Sequence, residues 1–169
     1  MQVKLTNFKA EYAKDIVKLI KNENVYKYLR AFANEQYSLN DALDFIEFSN
    51  SNQSEAFNQA IIVDGGFVGS IGLVFGRDIF DRNAEIGYWI GEPYWHKGIT
   101  SNAVMQMCDM GFGIFKLNRI SATIACENIH SINVLKKCGF SLEGVMRQAI
   151  FKYDRYYDAH LYSLLREDL

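Results

Sequence analysis

Apolar positions change period several times along this chain, and each change marks an element. Val3 and Leu5 alternate with polar neighbours, which predicts a short first strand. From Glu11 to Asn22 the apolar residues are Tyr12, Ile16, Leu19 and Ile20, the spacing of an amphipathic helix. An aromatic tract follows, with Tyr26, Tyr28, Phe32 and Tyr37. Ser38 and Asp41 then form a capping box, in which each side chain reaches the other's backbone N–H. A second helix is expected to start there and to carry Ala42, Phe45, Ile46 and Phe48.

A run of strands comes next. Ala60 to Val63 reaches a turn at Asp64-Gly65-Gly66, and a second strand runs from Phe67 to Phe75, a hairpin pattern. After a polar loop, Ala84 to Ile90 reads as another strand. The segment Gly91-Glu92-Pro93 breaks it, and a helix is expected from about Ile99 to Phe115. Ile120 to Ala125 is a strand and Asn128 to Cys138 a helix ended by Gly139. Leu142 to Phe151 and Tyr156 to Leu165 form a final hairpin. The order is therefore strand, two helices, three antiparallel strands, helix, strand, helix, two strands. It excludes a doubly wound nucleotide-binding fold, whose strands alternate with helices and whose first turn carries G-x-G-x-x-G.

Composition narrows the picture further. The chain has 169 residues, the size of one compact domain spanning 1–169, with 49% hydrophobic residues and 14% aromatics. A net charge of −2 gives no electrostatic case for direct nucleic-acid or membrane binding. No apolar run approaches membrane-spanning length, and the N-terminus lacks a signal peptide's apolar core. The three cysteines, Cys108, Cys126 and Cys138, lack metal-ligand spacing, so free thiols in a reducing, cytoplasmic setting are expected, with no metal.

The most informative stretch joins the strand ending at Ile90 to the helix starting at Ile99. A strand that turns through a loop ending in glycine, straight into a helix, aims several unpaired N–H groups at one point. Gly98 allows close approach of a ligand, having no Cβ. Lys97 adds positive charge, and Thr100 and Ser101 offer hydroxyls. Alone, such a segment is more often an ordinary turn.

The stretch Tyr94 to Ala103, preceded by Glu85-Ile86-Gly87-Tyr88-Trp89-Ile90, resembles the cofactor motif of the GNAT superfamily of N-acetyltransferases, whose loop reads Q/R-x-x-G-x-G/A. Lys97, Gly98 and Thr100 occupy its third, fourth and sixth positions. Trp95 stands where Gln or Arg is usual, which is similar to the branch of ribosomal-protein N-terminal (alanine) acetyltransferases. Asn128 to Phe140 resembles that branch's N-x-x-S-x-x-V-L-x-K-x-G-F segment. Asp41-Ala42, Phe45-Ile46, Glu143-Gly144 and Asp158 to Leu164 match in the right order, so the resemblance covers nearly the whole chain. It implies an α+β fold with α/β/α layers: a mixed, mostly antiparallel sheet of about seven strands, a splayed central parallel pair, and about four flanking helices.

The resemblance implies acetyl-CoA as cosubstrate and direct attack of an amine on the thioester in a ternary complex. Trp95, His96, Lys97, Gly98, Ile99, Thr100 and Ser101 would then meet the pyrophosphate. Backbone N–H groups at Trp89 and Ile90 would polarise the thioester carbonyl. Glu85 matches a general base acting through water, although glutamate at a strand end is also simply solvated. Asn128 would bond the pantetheine, a role compatible with capping the helix. Ser131 would lie near the sulfur and could protonate the thiolate, although serine in a first helical turn needs no duty. Many relatives place a tyrosine general acid seven residues after that asparagine; here the position is Leu135. His96 and His130 lie close to the same segment and are more readily polar contacts than bases.

For the acceptor, the resemblance points to the mouth between the first helix pair and the last hairpin. Candidate contacts are Tyr28, Phe32, Tyr37, Glu85 and Tyr153, with Glu35 and Asp154 as acids that would attract an amine. Aspartate at 154 also suits a turn. The acceptor is a peptide N-terminus or a small amine such as a polyamine, an amino acid or an aminoglycoside. A homodimer is left open. Leu135 keeps alive one alternative from another class, a non-catalytic acyl-CoA sensor on the same fold.

Overall fold

The computed structural model describes residues 1–29, 33–51 and 55–168. The strands are β1 (Val3–Thr6), β2 (Ala56–Val63), β3 (Gly66–Phe75), β4 (Asn83–Ile90), β5 (Arg119–Ala125), β6 (Ser141–Lys152) and β7 (Arg155–Leu165). The helices are α1 (Ala13–Ile20), α2 (Glu23–Tyr26), α3 (Leu39–Ser51), α4 (Ile99–Gly113) and α5 (Ile129–Lys137). The sheet order is β1-β2-β3-β4-β5-β7-β6, antiparallel except for the central β4–β5 pair. This is the expected layered α+β architecture, with one addition. A single-turn helix, α2, sits in the aromatic tract and is capped by Asn22, whose Oδ1 accepts the Asn24 N–H.

Two apolar clusters lie on opposite faces. One buries α4 and α5 through Ile99, Val104, Met107, Ile132 and Leu135 against Ile71, Leu73, Ile86 and Ile120. The other buries α1 and α3 through Ile16, Leu19, Ala42 and Ile46 against Ala60, Ile62 and Phe67. The Ser38–Asp41 box forms as the sequence requires: the Ser38 N–H and hydroxyl donate to Asp41 Oδ2 at 2.7 and 2.6 Å, and the Asp41 N–H donates to Ser38 Oγ. Phe48, expected on the apolar face of α3, is exposed.

Both hairpins turn through two residues of positive φ, Asp64–Gly65 and Tyr153–Asp154, which match the twist of the flanking strands. β2 starts four residues earlier than its apolar pattern suggested. Gln59 is buried there, and its amide is satisfied by Asn7 Oδ1 at 2.9 Å, so a polar residue occupies a core position.

Candidate active site

The site begins where the central pair stops pairing. β4 follows β3 through seven register positions, Gly69↔Ile90 to Phe75↔Ala84. It follows β5 through three, Asn83↔Arg119, Ala84↔Ile120 and Glu85↔Ser121. From Ile86 to Ile90 one edge of β4 faces an opening. The Gly91 N–H donates to Val68 O, and antiparallel alternation then sends the Trp89 amide to β3 and those of Tyr88 and Ile90 into the opening. Of the two amides expected there, that of Ile90 faces the opening and that of Trp89 does not; Tyr88 supplies the second amide on that edge.

The start of α4 closes one end of this opening. Gly98 is its N-cap at φ 73, a left-handed conformation that glycine adopts without strain, and no side chain caps the helix. The first backbone bond of the helix is Asn102 N–H to Gly98 O, so the Ile99, Thr100 and Ser101 amides lack an intrahelical acceptor. Free amides of this kind at a helix N-terminus suit an anion. One expectation changes here. The Ile99 side chain is buried in the core, which leaves only its amide for a ligand. The Lys97 ammonium donates to Pro93 O at 2.8 Å and lies 5.7 Å from the Tyr94 ring centroid, so it is held by its own loop.

The Trp95 indole donates to Ile90 O at 2.8 Å, taking the last carbonyl of β4. Its ring lies 6.1 Å from that of His130, and His130 is 5.1 Å from His96. These three rings join the loop before α4 to the start of α5. Asn128 caps α5: its Oδ1 accepts the Ser131 N–H at 3.2 Å, which leaves its Nδ2 for a ligand. Leu135 is fully buried beneath that helix.

Sequence reasoning did not single out Tyr88. Its Oη lies 2.8 Å from Ser131 Oγ, joining β4 to α5. Alternation puts it on the face opposite Glu85, Gly87 and Trp89, toward α5, and that was the available signal. Burial pushes the Tyr88 phenol pKa far up, only partly offset by the Ser131 hydrogen bond. On the opposite face Glu85 is half-buried, and a Cβ at Gly87 would meet nothing within 4 Å, so β4 presents a recess between Glu85 and Trp89.

α2 and the turn after it form a rim with the loop before α4 and the last hairpin. Glu92, in the loop before α4, accepts from Asn22 Nδ2 and, at 2.9 Å, from Asn24 Nδ2. The Lys152 ammonium donates to Tyr26 O and Leu29 O at 2.8 and 2.6 Å, and burial lowers its pKa. The Tyr28 hydroxyl donates to Glu127 O at 3.4 Å, and Tyr153 is exposed at the hairpin tip. Burial first, then the Glu23 and Glu35 carboxylates, raises the Tyr26 and Tyr153 phenols, so two aromatics and two acids share this rim. Tyr37 does not belong to it. It is 5% exposed in the α1–α3 core, its hydroxyl donating to Asp41 O. Phe32 lies outside the described residues. Asp154 is a turn residue at φ 54, and Asp158 Oδ1 accepts the Gln148 N–H at a β6 bulge.

The chain matches the acetyltransferase (GNAT) domain over residues 2–141. It belongs to that family. The acetyltransferase is 32% identical over 134 residues to the uncharacterized N-acetyltransferase p20 of Bacillus licheniformis, covering 77% of this chain and 75% of p20. It is 35% identical over 83 residues to the ribosomal-protein-serine acetyltransferase of Escherichia coli (strain K12), covering 49% and 46%. Among solved structures it superposes on the microcin C7 self-immunity acetyltransferase MccE in complex with acetyl-CoA and AMP, with a TM-score of 0.83, 27% identity and coverage of 97% and 92%. The expected resemblance and fold are thus found, and the chain is an enzyme of the N-acetyltransferase class. Among the described residues no helix is long and apolar enough to cross a membrane, and no cluster of His, Cys, Asp and Glu could hold a metal.

Proposed function

We propose that this enzyme transfers the acetyl group of acetyl-CoA to a primary amine, by direct attack within a ternary complex, as a single cytoplasmic domain. The supporting observation is the opening along Ile86–Ile90 with an uncapped helix N-terminus at its mouth. In this reading the amides of residues 98–101, with the Thr100 and Ser101 hydroxyls, hold the diphosphate. Trp95, His96 and His130 flank it, and Asn128 Nδ2 meets the pantetheine arm. The Tyr88 and Ile90 amides receive the charge that develops on the carbonyl oxygen.

The acceptor enters on the other face, over Gly87, between Glu85 and the rim built by Tyr28 and Tyr153. Glu85 takes the surplus proton of the attacking amine through a water. An α-amine, with pKa about 7.7–8.0, needs less of this help than a lysine-like amine at about 10.4. Ser131 offers its hydroxyl to the departing sulfur. The acid-rich rim with Glu23 and Glu35 suits a cationic acceptor, either a peptide N-terminus or a small amine such as a polyamine. The test is thiol release from acetyl-CoA across a panel of peptides and amines, with the product detected by mass. Tight CoA binding with no acetylated product from any amine overturns it.

A further inference from the structure

Ser131 has one proton to give, and nothing in its own helix aims it. A serine within a helix can turn its hydroxyl back to a carbonyl one turn earlier, but Ser131 is the third residue of α5 and that carbonyl lies before the helix. Its backbone N–H is held by Asn128 Oδ1, and its hydroxyl meets a partner from outside α5. The Tyr88 phenol reaches across from β4, with Oη 2.8 Å from Ser131 Oγ and 3.4 Å from Ser131 O. The phenol is the stronger acid of the two hydroxyls, so the favoured polarity has Tyr88 donate and Ser131 accept. Ser131 then keeps its own proton for a third partner.

Resting on the reading of Ser131 as the group facing the cofactor sulfur, we propose that Tyr88 is the positioning residue that turns the Ser131 hydroxyl toward the leaving thiolate and strengthens it as a donor. The amine nitrogen forms the new C–N bond, the C–S bond breaks, and its electron pair leaves on sulfur. The surplus amine proton goes to the water beside Glu85. No proton leaves either hydroxyl, because a thiol with a pKa near about 8.5 is a much stronger acid than both. The pair stabilises the thiolate through chained hydrogen bonds, each polarising the next. Tyr88 also presents its amide to the same opening. One residue of β4 therefore serves the carbonyl oxygen with its backbone and the sulfur, through Ser131, with its side chain. This arrangement supplies what the buried Leu135 cannot.

The test needs no acceptor. The thiol of CoA bound to the enzyme is titrated by its thiolate absorbance, with the complex of desulfo-CoA as blank, in wild type, Tyr88→Phe, Ser131→Ala and the double variant. In wild type the bound thiol ionises below its ordinary range. Ser131→Ala raises that pKa, Tyr88→Phe raises it by about one unit, and the double variant matches Ser131→Ala alone. CoA affinity by calorimetry changes less than about threefold in each. Thermal melts confirm folding, and Tyr88→Met is the second hydroxyl-free variant if Tyr88→Phe melts early. An unshifted Tyr88→Phe beside a shifted Ser131→Ala, or shifts that add, overturns the inference alone. An unshifted Ser131→Ala overturns the assignment of Ser131 and the inference with it. A wild type that does not bind CoA overturns the proposed function.

Discussion

The two edges of β4 are built from the same eight residues and do different work. Toward β3 the ladder is continuous, Gly69 approaches so closely that a Cβ there would meet Trp89 O at 2.3 Å, and Ile71 and Leu73 are fully buried beside it. Toward β5 the ladder ends after Glu85↔Ser121. Beyond that point the Tyr88 and Ile90 amides face the opening, while side chains bridge it: the Trp95 indole donates to Ile90 O and the Tyr88 phenol meets the Ser131 hydroxyl. A sheet with one rigid edge can hold its other edge open, because the backbone cost of the missing ladder is carried where packing is densest. The contrast recurs farther out: β6, at the sheet margin, exposes Leu142, Val145 and Met146.

The largest effect that would break this comparison lies at the mouth. Gly98→Glu places bulk and negative charge at a φ of 73 among the free amides and should weaken CoA binding at least about 1000-fold, near 4 kcal/mol. Gly98→Asn, which tolerates that conformation, should stay within about tenfold, both measured by calorimetry. Equal losses would mean that strain alone, not the anion site, is at work.

On the closed edge, Ile71→Ala should destabilise the fold by about 3 kcal/mol in denaturant melts. Val145→Ala on the exposed β6 should stay within about 0.5 kcal/mol. Similar values for the two would erase the difference between them.

How much of this the chain announced depended on the range of the interaction. Alternation, caps and turn residues located every strand and four of the five helices, because those signals are local. The uncapped start of α4 was visible for the same reason: Ile90 to Ala103 is one contiguous stretch. Tyr88 and Ser131 are 43 residues apart, and Asn22 and Glu92 are 70 apart, so no spacing rule joins them. The Lys97 contact with Pro93 O was not legible, because a residue's position in a motif says nothing about where a flexible side chain points. Tyr37 misled because an aromatic tract reads the same whether it faces core or rim, and only the fold separates the two.

A smaller effect sharpens the open edge. Trp95→Phe keeps the ring but loses the donor to Ile90 O, and should weaken CoA binding by about tenfold, near 1.4 kcal/mol, with little change in melting temperature. A stability loss instead would make the indole part of the closed edge.

The smallest effect lies beyond β5. The Arg119 guanidinium, donating to both carboxylate oxygens, and the Ser163 hydroxyl hold the Glu143 carboxyl below its ordinary range. A lowered folded-state pKa means that this contribution is complete above the unfolded value of about 4.3 and is lost as pH falls through the folded value. Glu143→Gln should therefore lower the melting temperature by a few degrees at most at neutral pH, since the pair is partly exposed. The gap to wild type should close as the solution is acidified below pH of about 4. A gap that widened on acidification would contradict the assignment.

The most direct measurement is a crystal structure with coenzyme A. The account predicts the diphosphate on the amides of residues 98–101 and the pantetheine arm lying between β4 at Ile86–Ile90 and the end of β5. A structure in which β4 and β5 pair on to Ile90 and the ligand sits elsewhere would contradict it.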